Sequence, residues 1–236
     1  MDDLGFPALA TTSSGFAMSM GKLDGTSSRT ELVGHVASLC AVTSLPINAD
    51  SENCYPDSDG GVIKTIQLLA AAGASGCSIE DWDPIREVIE GIDRATERVA
   101  LASVAAAEMG MVLTARAENH FRRTGDLDDT IARLSAFRAA GADVVYAPGL
   151  TDIAAITRIV EEVGSAVNVL LLPGGPSKDQ LAAAGVRRLS VGGAMARVAY
   201  GALYAFGQQL LDTGALAVAG SYLSRELAQR AFGGST

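Results

Sequence analysis

Three groups of charged residues stand at the ends of short apolar runs: Asp50 with Glu52, Glu80 with Asp81, and Arg116 with Glu118. The runs they close have strand-like composition: Leu45-Pro46-Ile47-Asn48-Ala49, Gly76-Cys77-Ser78-Ile79 and Met111-Val112-Leu113-Thr114-Ala115. Parallel strands joined by helices bring their carboxyl ends to one edge of the fold, where these groups would meet. On an extended strand Asp50 and Glu52 point the same way. With Glu80 from the neighbouring strand end they make an oxygen-donor set suited to Mg²⁺, an ion that keeps several of its waters. Arg116 is placed to grip a carboxylate or phosphoryl group by a bidentate contact. The chemistry implied is a metal-and-anion pocket. Two alternatives stand beside it: acids also solvate loop starts, and Arg116 can serve a structural ion pair with Glu118 or Glu80.

Other residues carry weaker signals. Ser13-Ser14-Gly15 follows an apolar run and could offer backbone N–H groups to a carboxylate, although Ser-Gly is ordinary turn chemistry. Gly174-Gly175 and Gly192-Gly193 follow the last two strand-like runs, where phosphate-binding barrels place glycines; the alternative is a turn with close helix–strand packing. His120 lies just past Arg116 and could approach the pocket, whereas His35 reads as a packing or surface residue. Cys54 lies among acids, and a reactive thiolate needs an electropositive setting. Trp82 is either a wall of the pocket or simple packing.

The elements that must position these residues alternate regularly. Strands are expected at 7–12, 45–49, 76–80, 112–116, 143–148, 167–172 and 188–191, and helices at 61–72, 92–108, 127–140, 152–163 and 178–184. Strand then helix, repeated, predicts parallel strands with helical crossovers. Seven units are visible, one short of a closed (β/α)8 barrel. Leu4-Gly5-Phe6 reads as the end of a helix with no strand before it, while 194–211 and 216–232 supply more helix than a barrel needs. No linker or block of like charge divides residues 1–236, which predicts a single domain.

Of the 236 residues, 48% are hydrophobic and 19% charged, and the net charge is −9. An acidic surface repels nucleic acid and anionic membrane, so neither is expected as a partner. The three cysteines, Cys40, Cys54 and Cys77, have neither metal-site nor disulfide-framework spacing. No signal-peptide pattern and no long apolar run is visible, and the expectation is a cytoplasmic protein.

Six segments together resemble the isocitrate lyase/phosphoenolpyruvate mutase superfamily, and most closely its short bacterial members related to 2-methylisocitrate lyases and oxaloacetate-cleaving enzymes. They are Gly-Phe-Pro-Ala-Leu-Ala-Thr-Thr-Ser-Ser-Gly (5–15), Leu-Pro-Ile-Asn-Ala-Asp-Ser-Glu (45–52), Ala-Gly-Ala-Ser-Gly-Cys-Ser-Ile-Glu-Asp (72–81), Leu-Thr-Ala-Arg-Ala-Glu (113–118), Ala-Gly-Ala-Asp-Val-Val-Tyr-Ala-Pro-Gly (140–149) and Gly-Val-Arg-Arg-Leu-Ser-Val-Gly-Gly (185–193). The resemblance covers nearly the whole chain. It implies a (β/α)8 TIM barrel whose last helix is exchanged between subunits, with residues 194–236 serving a homodimer or homotetramer. It also implies that Asp50 ligates Mg²⁺ (or Mn²⁺), with Glu52, Glu80 and Asp24 bonding to metal-held waters. Ser14, Gly15 and Phe16 then cradle the substrate carboxylate, and Arg116 grips its other anionic end. Glu118 and His120 join Arg116 as catalytic candidates.

The implied activity is that of a lyase or mutase breaking or forming a C–C or P–C bond next to an α-oxo acid, with an oxaloacetate-like acid as the expected substrate. Three departures qualify it. The family's opening strand and helix, with an Asn-Ala-Trp-Asp-like motif, have no counterpart, so the barrel is expected to lack its first strand. The family's Glu-x-Gly-Tyr-Gly becomes Glu52-Asn53-Cys54-Tyr55-Pro56. The gating loop after Asp81 is short and lacks the Lys-Lys-Cys-Gly-His motif, which disfavours isocitrate and methylisocitrate cleavage. Two alternatives remain: a catalytically silent homologue acting as a binding or assembly subunit, and a phosphate-binding barrel using Gly192-Gly193.

Overall fold

Short runs of apolar residues become strands and the alanine-rich stretches between them become helices that cover one face of the sheet. The computed structural model of the protein describes residues 1–215 and 223–232. A 3₁₀ turn at Asp2–Leu4 leads into strand β1 (Leu9–Ala10), helices α1 (Ser13–Ser19) and α2 (Arg29–Cys40), β2 (Ile47–Asp50), α3 (Gly61–Ala71) and β3 (Gly76–Glu80). A small antiparallel hairpin, β4 (Trp82–Asp83) with β5 (Val88–Ile89), comes next, followed by α4 (Ile92–Glu108), β6 (Val112–Arg116), α5 (Asn119–Arg122) and α6 (Leu127–Ala139). The chain ends through β7 (Val144–Tyr146), α7 (Ile153–Val163), β8 (Ala166–Leu170), α8 (Lys178–Ala183), β9 (Arg188–Ser190), α9 (Ala194–Thr213) and α10 (Arg225–Phe232).

Seven parallel strands form one sheet in the order β1-β2-β3-β6-β7-β8-β9, a nearly closed barrel with no strand joining β9 to β1 among the described residues. The alternation of side chains sorts the strands by face. Ala49, Cys77, Ile79, Leu113, Ala115, Val145, Val167 and Val169 point outward and form one core with Val99, Ala102, Leu134, Phe137, Ile156 and Ile159 of the surrounding helices. The opposite face is largely polar. In register along it lie Asp50 and Ser78, then Glu80, Arg116, Tyr146, Asn168 and Arg188. Gly76 is required here, because a Cβ would stand 2.8 Å from the carbonyl oxygen of Val112 and 3.1 Å from Asn48 Oδ1.

Several boundaries differ from those read in the sequence. The first strand is two residues long rather than 7–12, because Thr12 caps α1: its hydroxyl accepts from the Gly15 amide and the chain turns there. The region after Asp81 is a hairpin, and α1 and α5 are short helices seated on loops at the strand ends. Of the helix expected at 216–232, Arg225–Phe232 is helical and residues 216–222 lie outside the described residues. Helix α9 buries no residue, leaving Val198, Leu203, Tyr204 and Leu211 exposed. Among the described residues no helix is long and apolar enough to cross a membrane.

One buried cation ties the first strand ends to the helical layer. Arg98 of α4 donates from Nη1 to the Asn53 carbonyl at 2.7 Å, from Nη2 to the Glu80 carbonyl at 2.9 Å, and from Nε to Glu90 Oε2 at 2.7 Å. The side chain fixes the loop after β2 and the end of β3 in one step. Removing it strands two carbonyls and the buried Glu90 carboxylate. Arg98→Ala is expected to destabilise the fold by about 3–5 kcal/mol, seen in urea unfolding as a lowered midpoint with an unchanged slope.

Candidate active site at the strand carboxyl ends

Asp50, Glu80 and Arg116 are the last residues of β2, β3 and β6, so three neighbouring parallel strands deliver them to one edge. The Arg116 guanidinium sits among them. Nη1 donates to Asp50 Oδ1 at 2.9 Å, Nη2 lies 3.1 Å from Glu80 Oε2 and 2.7 Å from Glu118 Oε1, and Nε donates to the same Glu118 oxygen at 3.0 Å. The ion pairs weighed as an alternative for Arg116 are therefore present, and a third one with Asp50 joins them. Tyr146 provides a floor, with its ring 5.4 Å from Arg116 Cζ.

Asp50 is held from three sides. Its Oδ2 accepts from the Ser13 amide at 3.0 Å, Oδ1 accepts from the Ser78 hydroxyl at 3.3 Å, and its own amide donates to Thr11 Oγ1 at 2.7 Å. Glu52 does not continue the strand: its φ of 51° places it in a left-handed turn, so it does not point alongside Asp50 as an extended strand would. Its carbonyl accepts from the Glu80 amide at 2.9 Å.

Asp81, grouped with Glu80 in the sequence, faces elsewhere. Its buried carboxylate accepts from the Glu118 amide at 2.8 Å and from Arg133 at 3.0 Å. Arg133 also donates to the Glu90 carbonyl at 2.9 Å. Asp81 and Arg133 thus fix Glu118, which in turn holds Arg116. Sequence reasoning missed Arg98 and Arg133, since both lie mid-helix without a motif.

Gathering acids raises their proton affinity. Burial, then repulsion from Asp50 and Asp24, lifts the Glu52 carboxyl from 4.5 to about 7. Burial also pushes Glu80 well up, against the pull of Arg116, and lifts Asp81 to about 6. Arg116 is held firmly charged: burial works against the charge, and Glu80, Glu118 and Asp50 outweigh it. Burial drives the Cys54 thiol up to about 11, so it is an inert core group.

Among the described residues no group of three or more His, Cys, Asp or Glu side chains stands close enough together to hold a metal ion; the Arg116 guanidinium lies between Asp50 and Glu80. The donor chemistry nevertheless fits a hard divalent cation. Asp24, Asp50, Glu52 and Glu80 would offer only carboxylate oxygens, and after burial the repulsion of Asp50 and Asp24 is what raises Glu52.

The remaining candidates border this cluster. At α1, the Gly15 amide turns back to Thr12 Oγ1 at 3.4 Å and the Phe16 amide closes on the Thr12 carbonyl at 2.9 Å, so both are engaged within the helix. The Phe16 ring stacks on His35 at 4.2 Å between centroids. Gly193 packs against Ser14, whose Oγ would lie 2.7 Å from a Cβ placed there; close packing thus accounts for that glycine. Asp24 is exposed in the turn after α1, whose Gly25 approaches Pro84 of the β4–β5 hairpin. His120 lies in α5 near the Gly149 turn, away from the Arg116 ion pairs. Arg122 stacks on Trp82 at 4.0 Å, which makes Trp82 a wall between the hairpin and α5.

Residues 1–211 match the phosphoenolpyruvate phosphomutase family. The chain belongs to that family. A Burkholderia cenocepacia protein described as a lyase/mutase is 44% identical, with a TM-score of 0.87 over 96% of this chain and 84% of that one. The oxaloacetate decarboxylase of Paraburkholderia xenovorans is 28% identical over 155 residues, which make up 62% of this chain and 50% of that protein. The chain thus spans about half the length of that curated relative. A phosphonopyruvate hydrolase solved with oxalate and Mg²⁺ shares the fold, with a TM-score of 0.80 at 21% identity.

Against the phosphomutase family pattern, Cys54 occupies a position where the resemblance placed glycine, and its φ of 60° is one that favours glycine. Glu52 and Tyr55, at 51° and 49°, share the left-handed region. The turn is kept by packing of the buried Cys54, whose sulfur lies 3.3 Å from Ser51 Oγ, and by Arg98 on the Asn53 carbonyl.

Glu52 gives this turn a pH signature. Its folded pKa is raised, so the folded state binds the extra proton and metal-free stability falls as pH rises from about 4.5 through about 7. Glu52→Gln is expected to flatten that fall and to stabilise the metal-free protein by about 1–2 kcal/mol at pH 8 and little at pH 4.5. Urea unfolding at the two pH values measures the difference.

Proposed function

We propose that the protein is a Mg²⁺-dependent enzyme of lyase or mutase type, acting on a small anionic α-oxo or 2-hydroxy acid. Oxaloacetate-like dicarboxylates are the favoured substrates, and the bond broken or formed is a C–C (or P–C) bond next to the oxo group. The observation that carries this reading is the gathering of Asp50, Glu80 and Glu118 about Arg116 at the ends of three adjacent strands. Asp50, Glu52, Glu80 and Asp24 are the residues that would hold the ion, Mg²⁺ or alternatively Mn²⁺. When bound, it supplies positive charge for the negative charge that develops as the bond breaks.

The protein's own groups do the rest. Glu118 holds the Arg116 fork by Nε and Nη2 and leaves the Nη1 edge to exchange Asp50 for a substrate anion. The Ser14 end of α1, with Gly15 and Phe16, would receive the substrate carboxylate by exchanging the long contact of the Gly15 amide to Thr12 Oγ1, while the Phe16 amide stays in the helix. His120, which lies on α5 away from the Arg116 ion pairs, would reach the reacting atoms only from the rim and is kept as the proton-transfer candidate.

A screen of oxaloacetate, 2-methylisocitrate and phosphonopyruvate with Mg²⁺ tests the reading. Asp50→Ala is expected to lower turnover about a hundredfold or more. Arg116→Lys, which keeps a charge but loses the fork, is expected chiefly to raise KM. Undiminished turnover in Asp50→Ala, or in EDTA, would sink the metal assignment. The second reading, a silent binding or assembly subunit, draws support from the engagement of every Arg116 nitrogen by carboxylate. It predicts no thermal shift with Mg²⁺ and oxalate.

We also infer that α9 packs against a second copy, giving a homodimer or homotetramer, because its apolar side chains have no cover among the described residues. Light scattering is expected to show the oligomer, and a Leu203→Asp/Leu211→Asp double variant is expected to shift it toward monomer.

A further inference from the structure

One guanidinium touches two of the acids assigned to the divalent cation. Arg116 donates from Nη1 to Asp50 Oδ1 at 2.9 Å, and its Nη2 lies 3.1 Å from Glu80 Oε2. Asp50 has little capacity left. Its Oδ2 accepts from the Ser13 amide at 3.0 Å, and its Oδ1 is shared between Arg116 and the Ser78 hydroxyl. A carboxylate oxygen has lone pairs for more than one partner, but two cations on one oxygen repel each other. Held in this place, Arg116 opposes a divalent ion at Asp50 and Glu80.

Exposure decides which of its contacts can be exchanged. The side chain of Glu118 is 2% exposed, that of Glu80 9% and that of Asp50 15%, beside 17% for Arg116 itself. Glu118 is also the doubly bonded partner, accepting from Nε at 3.0 Å and from Nη2 at 2.7 Å, and its own amide is fixed by Asp81. The guanidinium is therefore pivoted on Glu118, and its more exposed edge is Nη1. A planar fork can turn between two carboxylates there without losing its anchor. It also keeps its charge: burial works against ionisation, and Glu80, Glu118 and Asp50 outweigh it.

We propose that Arg116 is an exchangeable counter-ion. With no anion bound it neutralises Asp50 and Glu80 itself and weakens their hold on Mg²⁺; an oxo-acid carboxylate that takes its Nη1 edge returns Asp50 to the metal set. Cation and anion then bind as a pair, each weakly alone. This rests on the proposed function, which supplies the metal and the anion, and adds their mutual dependence. Acids covered by Arg116 most of the time show a cation affinity lowered by that fraction. Binding couplings are reciprocal, so the factor by which the anion tightens Mg²⁺ is also the factor by which Mg²⁺ tightens the anion. The contacts that favour a silent subunit here become the reason why neither ligand alone binds well.

Oxalate and Mg²⁺ attract each other directly, so the decisive measurements take each alone. In calorimetry without anion, Arg116→Gln is expected to bind Mg²⁺ about tenfold tighter than the intact protein, with urea unfolding to check that the variant folds. A residue that only grips substrate would leave that affinity unchanged. In EDTA, Asp50→Asn is expected to bind oxalate about tenfold tighter, since Nη1 no longer has to leave a carboxylate. With Mg²⁺ the same variant is expected to bind oxalate more weakly than the intact protein, since a metal ligand is gone. That reversal of sign is the signature of exchange. Mg²⁺ affinity unchanged or lowered in a folded Arg116→Gln, or oxalate affinity in EDTA unchanged or lowered by Asp50→Asn, overturns the proposal. Where Arg116→Gln fails to fold, the Asp50→Asn comparison decides alone. If no form of the protein binds Mg²⁺, with or without oxalate, while Asp50→Asn still tightens oxalate in EDTA, the metal assignment of the proposed function falls and the exchange at Nη1 stands.

Discussion

The guanidinium of Arg116, shared among three carboxylates from separate segments, is the interaction on which the rest of this structure depends. Asp50, Glu80 and Glu118 are buried or partly buried, and their mutual repulsion alone would drive the strand ends apart or protonate them. One delocalised cation with donors in a rigid fork meets all three at once, which an ammonium on a flexible stem does less well. Its net contribution to stability is small, because the desolvation of four charged groups offsets most of the attraction. Its contribution to geometry is large. It fixes where β2, β3 and β6 end relative to one another.

That geometry is maintained from behind by two arginines outside the lumen. Arg98 holds the backbone at Asn53 and Glu80, and Arg133 holds Asp81 and the Glu90 carbonyl. Asp81 then receives the Glu118 amide and sets the approach of Glu118 to Arg116. The chain of contacts runs from helices α4 and α6 through backbone carbonyls and one buried acid to the polar cluster. Charge at the site is therefore borne by strand ends that the helical layer holds rigid. The left-handed Glu52-Asn53-Cys54-Tyr55 turn persists on the same support, since its strain is local and its anchors are buried.

How much of this was legible in the sequence depends on the range of the interaction. The β/α alternation and the placement of Asp50, Glu80 and Arg116 follow from local composition, because period and punctuation act over a few residues. The strand ends meet because parallel topology obliges them to. What could not be read was orientation after the strand ends. Glu52 leaves the extended conformation because its carbonyl pairs with the Glu80 amide, and Asp81 turns away because Arg133 lies 52 residues further on to receive it. Those outcomes are set by tertiary partners distant in sequence. The two-residue β1 is similar: β-like residues at 7–12 were overruled by Thr12, whose hydroxyl caps a helix instead.

The polar lumen is the feature that separates this barrel from one built for stability. Barrel interiors of this kind are usually filled by layers of branched apolar side chains. Here the inward positions include Asn48, Asp50, Ser78, Glu80, Thr114, Arg116, Tyr146, Asn168, Arg188 and Ser190, with Val112, Val144, Ala166 and Leu170 as their apolar neighbours in register, and the larger apolar core lies on the outer face of the sheet. Such an interior forfeits hydrophobic stabilisation and accepts orphaned atoms at Asn48 and Asn168. Its acids lie on the β2–β3–β6 side, balanced by Arg116, and its uncompensated cation lies on the β9 side. An interior polarised in that way keeps its acids where the Arg116 fork can hold them and leaves the β9 side with one cation that neutral groups alone solvate.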